Sequence, residues 1–302
     1  MLSFILAVLF TISLYLLMRA FPKFGINPFQ AVVFNYYACL ATGLVLMPDR
    51  SALGLVDWTA TPTLITLALG TMFVIVFLLI GQTATRSGVT TATLSSDLSL
   101  VIPVVFGLFV FKNTNKIFTV LNYSGIVLAV VAVAMSAIKK ANKKSEGKQI
   151  SSAAWFFPVL LFLASGTNNT LINYLSSQFY GPDQTTLFMI IACIGAIVVG
   201  TSLLVYRVLA TNEVVTLKNI LGGVVLGVPN FLSLFFLLKA LAAFGNSAAF
   251  VFPIYNVMTI IASSFAAWLL FKEKLERINK IGLVLAIVAI VMISYQEILS
   301  SF

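Results

Sequence analysis

The chain has 302 residues, of which 60% are hydrophobic and only 9% are charged, against roughly 45–50% and about 25% in ordinary globular domains. This composition excludes a water-soluble globular domain, because apolar stretches of about 20 residues, the length that crosses a hydrocarbon core, recur along nearly the whole chain. The net charge of +9 would suit a nucleic-acid partner, but the basic residues cluster in loops between apolar stretches, which is typical of membrane proteins. We therefore predict a multi-pass membrane protein whose surroundings are a lipid bilayer, with no nucleic-acid partner.

Ten transmembrane helices are predicted, in chain order at 2–20, 28–48, 63–84, 89–111, 118–138, 153–176, 184–206, 217–243, 246–271 and 278–297. Most of the connections are short, so that successive helices should run antiparallel. The exception is the basic polar linker 139–152. This linker divides the chain into a first five-helix unit, 1–138, and a second, 153–302.

The two units repeat one another. The segment that opens with Gly125 returns at Gly282, a shift of 157 residues, with seven of eleven positions identical through Met135 and Met292. An odd number of spans in each unit requires the second unit to be inserted upside down relative to the first. The prediction is an all-α polytopic protein built from two inverted five-helix repeats, a design that many secondary carriers share.

The distribution of basic residues predicts the orientation. The odd-numbered loops carry fourteen Lys and Arg residues, the even-numbered loops carry three, and Lys239 lies within a span. The positive-inside rule then places the odd loops in the cytoplasm, and both termini face outward. We predict a bacterial inner membrane as the location.

Several kinds of chemistry lack the residues that they need. The sequence has no histidine, which removes the commonest zinc ligand and the commonest general base. Cys39 and Cys193 fall inside apolar spans and are predicted to be reduced packing residues. The glycine-rich segment 222–227 lacks the Lys-Ser/Thr of a phosphate-binding loop. We therefore predict no metal, no cofactor and no enzymatic activity.

Asp97 is the sharpest candidate for a functional residue, because it is the only acid well within any predicted span. A translocon-based scale puts an Asp at the centre of a helix at about +2.5 to +3.5 kcal/mol, and intramembrane acids usually face a transport path. A coupling proton, a cation, a cationic group of the substrate or a permanent partner such as Lys239 would offset this cost. The alternative is a structural ion pair, or a carboxyl group that stays neutral.

Two further polar positions correspond under the shift of 157 residues, namely Lys239 and Gln82. Lys239 lies about one turn from the end of its span, where it could bind an anionic group of a substrate or pair with Asp97. Its long side chain could equally extend to the membrane surface.

Amides and one proline complete the candidate set. Asn168, Asn230 and Asn256 lie in the sixth, eighth and ninth spans, where they could bind substrate or form hydrogen bonds between helices. Pro253 is predicted to kink or interrupt the ninth helix, because it has no backbone N–H. Its counterpart in the first repeat is Ser96, next to Asp97.

The second repeat resembles the EamA-type repeat of the drug/metabolite transporter superfamily. The resemblance covers essentially the whole chain and is carried by Ala240-Leu241, Gly245, Ala248-Ala249, Pro253, Phe271-Lys272-Glu273-Lys274-Leu275 and Gly282. The first repeat departs from the pattern, with Ser96 at the position of the proline and Lys116 at that of the glutamate, and Lys272 replaces the usual glycine.

The resemblance implies a carrier for small metabolites, with a central cavity lined mainly by the third, fourth, eighth and ninth helices together with the first and sixth. It would place Gln82, Asp97, Asn168, Asn230, Lys239 and Asn256 near the path. The family is usually drawn with both termini in the cytoplasm, whereas the basic residues of this chain indicate the reverse orientation. We expect an alternating-access carrier of a small polar or amphipathic solute; the alternatives are a passive channel and a membrane-embedded enzyme that acts on lipid.

Overall fold

The computed structural model describes residues 2–99, 101–102, 119–137, 155–180, 184–243, 248–273, 275 and 277–300. Over these residues the chain is helical and contains no strand. Seven helices in this part of the chain are long and apolar enough to cross a membrane. The protein is therefore an all-α, multi-pass membrane protein, and the predicted linker 139–152 lies outside the described residues.

The helices of the described residues are numbered here in chain order. They are α1 (Leu2–Ala20), α2 (Pro28–Leu46), α3 (Thr61–Arg86), α4 (Val89–Leu98), α5 (Val120–Ala137), α6 (Phe156–Phe179), α7 (Thr185–Thr211), α8 (Leu217–Ala243), α9 (Ala248–Phe271) and α10 (Arg277–Ser300). These bounds agree closely with the predicted ones, except that α4 ends at Leu98, and residues 103–111 of the predicted fourth span lie outside the described residues.

The helix α4 lies at the centre of the bundle. It packs against α1, α3, α5, α6 and α9. Around it, α2 packs along α8, α3 along α7, and α5 along α10. All but one of the residues of α4 are buried, and most of them are small Thr, Ser and Ala residues that allow close approach of neighbouring helices.

Four of the odd-numbered loops, those after α1, α3, α7 and α9, lie on one face of the bundle, where their described residues contact one another. Arg19 at the end of α1 donates to the backbone carbonyl of Thr85 at the end of α3. Two further contacts join odd-numbered loops. Lys23 Nζ lies 4.6 Å from the centre of the Phe271 ring, and Asn27 Nδ2 donates a hydrogen bond to Glu213 Oε1 at 2.7 Å. We call this side of the protein the odd-loop face.

A buried amide network holds the beginning of α2 in place. The Asn27 side chain accepts from the backbone N–H of Phe29 at 2.9 Å, and Pro28 follows it at the first helical position, which is a favourable helix start. Gln30 Nε2 donates to Glu213 Oε1 at 2.9 Å, and Gln30 Oε1 accepts from Asn219 at 2.7 Å. These bonds tie α2 to the connection between α7 and α8.

The helices α5 and α10 run antiparallel. Near the start of α5, Asn122 Nδ2 donates to the carbonyl oxygens of Ile293 at 2.8 Å and Met292 at 3.4 Å, late in α10. Near the start of α10, Asn279 Nδ2 donates to the carbonyl oxygen of Met135 at 3.2 Å, late in α5. The start of each helix therefore lies beside the end of the other.

Candidate functional site

Asp97 lies at an interruption of its helix. The turn at Ser99 ends α4, and the backbone is helical again at Val101 and Ile102. The hydroxyl group of Ser99 donates to the carbonyl oxygen of Ser96 at 2.5 Å, and Ile102 N donates to the carbonyl oxygen of Ser99 at 2.9 Å. Ser99 thus replaces part of the helical bonding with local bonds, as Ser and Thr side chains often do.

The carboxylate of Asp97 is buried and incompletely satisfied. The residue is 8% exposed, and its Oδ2 atom has no hydrogen-bond partner. No described Lys or Arg forms an ion pair with it. A buried charge without a partner is costly, so the site is complete only when a proton or a positively charged group is present.

Two buried tyrosines lie on the helices that pack against α4. Tyr15 of α1 and Tyr255 of α9 are 4% and 8% exposed, and their helices contact each other as well as α4. The hydroxyl group of Tyr255 forms a hydrogen bond of 2.5 Å with Thr11 Oγ1, which joins α9 to α1. Three helices, α1, α4 and α9, therefore meet in this part of the bundle.

The helix α6 contributes unsatisfied polar atoms to the region where it packs on α4. Asn168 is 8% exposed, and its Oδ1 atom has no partner; the hydroxyl group of Ser165, one turn earlier, is also buried without one. The neighbouring residue Asn169 donates to Ser99 Oγ at 3.4 Å. This contact places Asn168 and its neighbours beside the interruption that follows Asp97.

Lys239 and Gln82 lie outside this cluster. Lys239 is exposed, and its Nζ atom lies 4.6 Å from the centre of the Phe235 ring. Gln82 is exposed as well, and its Oε1 atom accepts from Arg86 Nε at 3.0 Å. The pairing of Lys239 with Asp97 that the sequence left open is therefore not formed.

The remaining candidates are divided between two places. Asn256, which follows Tyr255 in α9, is 4% exposed and so faces the interior of the bundle. Asn230 lies in the seam between α8 and α2, where its Nδ2 atom donates to Asn35 Oδ1 at 3.2 Å. The backbone of α9 is helical from Ala248 to Phe271, through Pro253. Among these central helices the interruption lies in α4, directly after Asp97.

Sequence reasoning missed Tyr15 and Thr11. Both residues lie in the first apolar stretch, where a tyrosine and a threonine attract little notice. Their spacing of four residues puts them on one face of α1, and this spacing is the signal that could have identified them. Only packing shows that this face meets α9.

The described residues contain no group of three or more Cys, Asp, Glu or His side chains that could hold a metal ion. The chemistry of the cluster is therefore that of one carboxylate, two phenols, hydroxyl groups and amides. Such a set can bind a proton, a small cation or a polar group of a solute.

Comparison with known proteins shows a likeness in fold. No family model matches the chain. A protein of Haemophilus influenzae described as uncharacterised is 27% identical over 301 residues, covering 98% of each chain. A solved crystal structure is similar with a TM-score of 0.53 at 12% identity, over 96% of this chain and 98% of that one. The chain thus shares a complete fold with a protein of known structure, and these likenesses carry no activity to it.

Proposed function

We propose that the chain is a secondary carrier that moves a small polar or amphipathic metabolite across a bacterial inner membrane by alternating access. The single observation that carries the proposal is the Asp97 carboxylate, buried at 8% exposure with an unpartnered Oδ2 atom, at a helix interruption in the centre of the bundle. Discontinuous helices and buried acids at the midplane are the usual binding elements of carriers. The proposal includes no enzymatic activity and no cofactor.

Matching side-chain bonds support the two inverted five-helix repeats of this proposal. Asn122 and Met292 are bonded, and so are Asn279 and Met135. A shift of 157 residues converts one pair into the other. The antiparallel arrangement of α5 and α10 supports the proposed repeat axis, which would be perpendicular to these helices and in the membrane plane.

Two close helix contacts support the same relation. A Cβ atom built on Gly70 of α3 would lie 2.4 Å from the carbonyl oxygen of Ala192 in α7. A Cβ atom on Gly227 of α8 would lie 2.3 Å from the carbonyl oxygen of Asn35 in α2. The shift of 157 residues takes Gly70 to Gly227 and Asn35 to Ala192, so the two contacts correspond to each other.

We also propose that the odd-loop face is cytoplasmic, so that both termini face the periplasm. The basic residues of the odd loops support this orientation, and so do the contacts among the described odd loops, which are those after α1, α3, α7 and α9. We assign the chain to the EamA-type carriers of the drug/metabolite transporter superfamily on the motif around Glu273. The orientation drawn for that family is the opposite one, so topology deserves its own test.

A transport experiment with the purified chain tests the proposal. A screen of metabolites by thermal unfolding identifies solutes that bind the folded state, and vesicles containing the protein are then tested for uptake of those solutes. A carrier should show saturable uptake that unlabelled solute inside the vesicles stimulates. Uptake that is linear in concentration and insensitive to internal solute would indicate a channel and contradict the proposal.

A further inference from the structure

The beginning of α4 is closed off on the odd-loop face. Thr83 near the end of α3 is 0% exposed, and Val89 and Thr90 at the start of α4 are 0% and 2% exposed. Asp97 lies farther along the same helix, about 12 Å from Val89 at a rise of 1.5 Å per residue. The approach to Asp97 along α4 is therefore closed at this face.

The contacts that close this approach are polar. Oε2 of Glu273, in the loop after α9, accepts from the backbone N–H of Val89 at 3.0 Å. Arg86, at the end of α3, places its guanidinium carbon 4.5 Å from the centre of the Phe157 ring at the start of α6. Both contacts join the first five-helix unit to the second. Contacts of these kinds are weak where water competes for them, so a movement of one unit against the other can break them.

Polar side chains behind these contacts lack hydrogen-bond partners. The hydroxyl groups of Thr83 and Thr90 are buried without a partner, as is Oδ2 of Asp97. Thr90 and Asp97 are seven residues apart, so they lie on one face of α4. The hydroxyl group of Thr93, by contrast, donates to the carbonyl oxygen of Val89 at 3.0 Å. Unsatisfied groups make the closed arrangement costly, and water would satisfy them once this face opened.

The backbone next to the Glu273 contact adopts conformations that are rare for residues with side chains. Gly88 has a φ angle of +108°, and Lys272 has a φ angle of +52°. A non-glycine residue in the left-handed region is held there by its surroundings, and such residues concentrate at switch regions as well as at active sites. Release of Glu273 would allow Lys272 to relax.

We propose that Glu273 is the gate of a path between the odd-loop face and Asp97. In the closed state its carboxylate holds the start of α4 against the loop after α9. When this bond breaks, α4 separates from that loop, and water reaches Thr90 and then Asp97. This inference rests on the proposed function, because it assigns the gate of the same carrier path.

The reactivity of a cysteine at residue 90 tests the gate. The full chain carries Thr90→Cys together with Cys39→Ala and Cys193→Ala, and is treated in detergent with the small water-soluble reagent aminoethyl methanethiosulfonate, well below its melting temperature. Glu273→Ala should raise the labelling rate of Thr90→Cys about 2- to 30-fold, the factor by which loss of an N-cap shifts an opening equilibrium. Mass spectrometry of the intact chain measures the rate.

Two milder variants make the test independent of whether Glu273→Ala folds. Glu273→Gln keeps an acceptor and should give a smaller rise. Gly88→Ala should also raise the rate, because the added Cβ atom would lie 2.4 Å from Glu273 Oε1 and displace the carboxylate. A rate for Thr90→Cys that is unchanged in the folded variants of residues 273 and 88 would overturn the gate.

Two controls separate opening of the gate from general loosening. Thr259→Cys reports on the core of α9, because Thr259 is 0% exposed and its hydroxyl group donates to the carbonyl oxygen of Tyr255 at 2.8 Å. Glu213→Ala removes another carboxylate of the odd-loop face, one that accepts from Asn27 and Gln30 at the start of α2. An equal rise at Thr259→Cys, or an equal rise of Thr90→Cys labelling in Glu213→Ala, would reduce Glu273 to a structural cap and overturn the gate.

The outcomes distinguish the gate from the proposed function, since labelling requires no solute and no transport. Selective opening in Glu273→Ala, together with uptake that is linear in solute concentration, would keep the gate and overturn the carrier. Uptake that internal solute stimulates, without selective opening in Glu273→Ala, would keep the carrier and overturn the gate.

Discussion

The carboxylate of Glu273 accepts a hydrogen bond from the backbone N–H of Val89, with 3.0 Å between the Oε2 and N atoms. Val89 is the first residue of α4, and the preceding residue, Gly88, supplies no side-chain cap of its own. The loop after α9 therefore caps the helix that carries Asp97. A negative charge at a helix N-terminus is also favourable for the helix dipole.

The residues directly before the two partners of this contact have unusual backbone conformations. Gly88 has a φ angle of +108°, and a Cβ atom at this position would lie 2.4 Å from Glu273 Oε1. Lys272, directly before Glu273, has a φ angle of +52°. The contact thus depends on glycine at residue 88, and on a non-glycine residue held in a left-handed conformation that is rarely adopted.

Replacing Glu273 should destabilise the protein by removing this cap. Loss of an N-cap costs about 0.5–2 kcal/mol, so Glu273→Ala should lower the apparent melting temperature. Glu273→Gln keeps an acceptor and loses only the charge, worth about 0.3–1 kcal/mol, and should have a smaller effect. Thermal unfolding in detergent measures both.

A glycine pair provides the control for this prediction. Gly88→Ala should be at least as damaging as Glu273→Ala, because the added Cβ atom displaces the carboxylate and the φ angle is strained. Gly54 has nothing within 4 Å of its Cβ position, so Gly54→Ala should change little. If Glu273→Ala unfolded at the wild-type temperature, the carboxylate would contribute nothing to holding α4.

The sequence predicted the helices well because hydrophobicity and length determine them. The bounds of α1 and α8 are those predicted, and most of the others differ by a few residues. The interruption at Ser99 was not predicted, because a single serine is compatible with a helix and only the hydroxyl bond to Ser96 shows its effect. Proline drew attention to residue 253 instead, and α9 is helical there.

The candidate site was partly predictable for a related reason. Asp97 stands out in an apolar chain, since a charge within lipid is conspicuous in composition alone. Lys239 was a second candidate, for which the sequence left binding and extension to the membrane surface open, and it is exposed with its Nζ atom over the Phe235 ring. The side of a helix that faces the bundle depends on the helices packed against it. When an apolar stretch has polar residues on several sides, its own sequence does not show which side that is.

The glycine contacts yield a prediction about the symmetry. Gly70→Val and Gly227→Val should each lower the apparent melting temperature strongly, and to a similar degree, because each side chain would meet a carbonyl oxygen at the equivalent place. Overpacking of this kind typically costs about 1–3 kcal/mol. Parallel thermal unfolding of the two variants measures it. A large loss in one variant and none in the other would speak against equivalent seams.

The orientation can be measured with single cysteines. In whole cells, an impermeant thiol reagent should label Gly54→Cys, which is exposed between α2 and α3, and should fail to label Lys143→Cys. Inverted vesicles should give the reverse result. The native residues Cys39 and Cys193 are 2% and 4% exposed and should contribute little background. Labelling of Lys143→Cys from outside would reverse the topology.

Asp97→Asn should separate folding from function. The substitution keeps the shape of the side chain and removes the ionisable group, so the ligand-free protein should unfold at or above the wild-type temperature, because an unpaired buried carboxylate is costly. Transport should be abolished or uncoupled, because the group that meets the proton or cation is gone. Thermal unfolding and vesicle uptake measure the two effects on the same preparation, with Asp57→Asn as the control for losing an acid outside the bundle. A structural carboxylate would behave in the opposite way: Asp97→Asn would lower the melting temperature, and uptake would keep the wild-type rate and pH dependence.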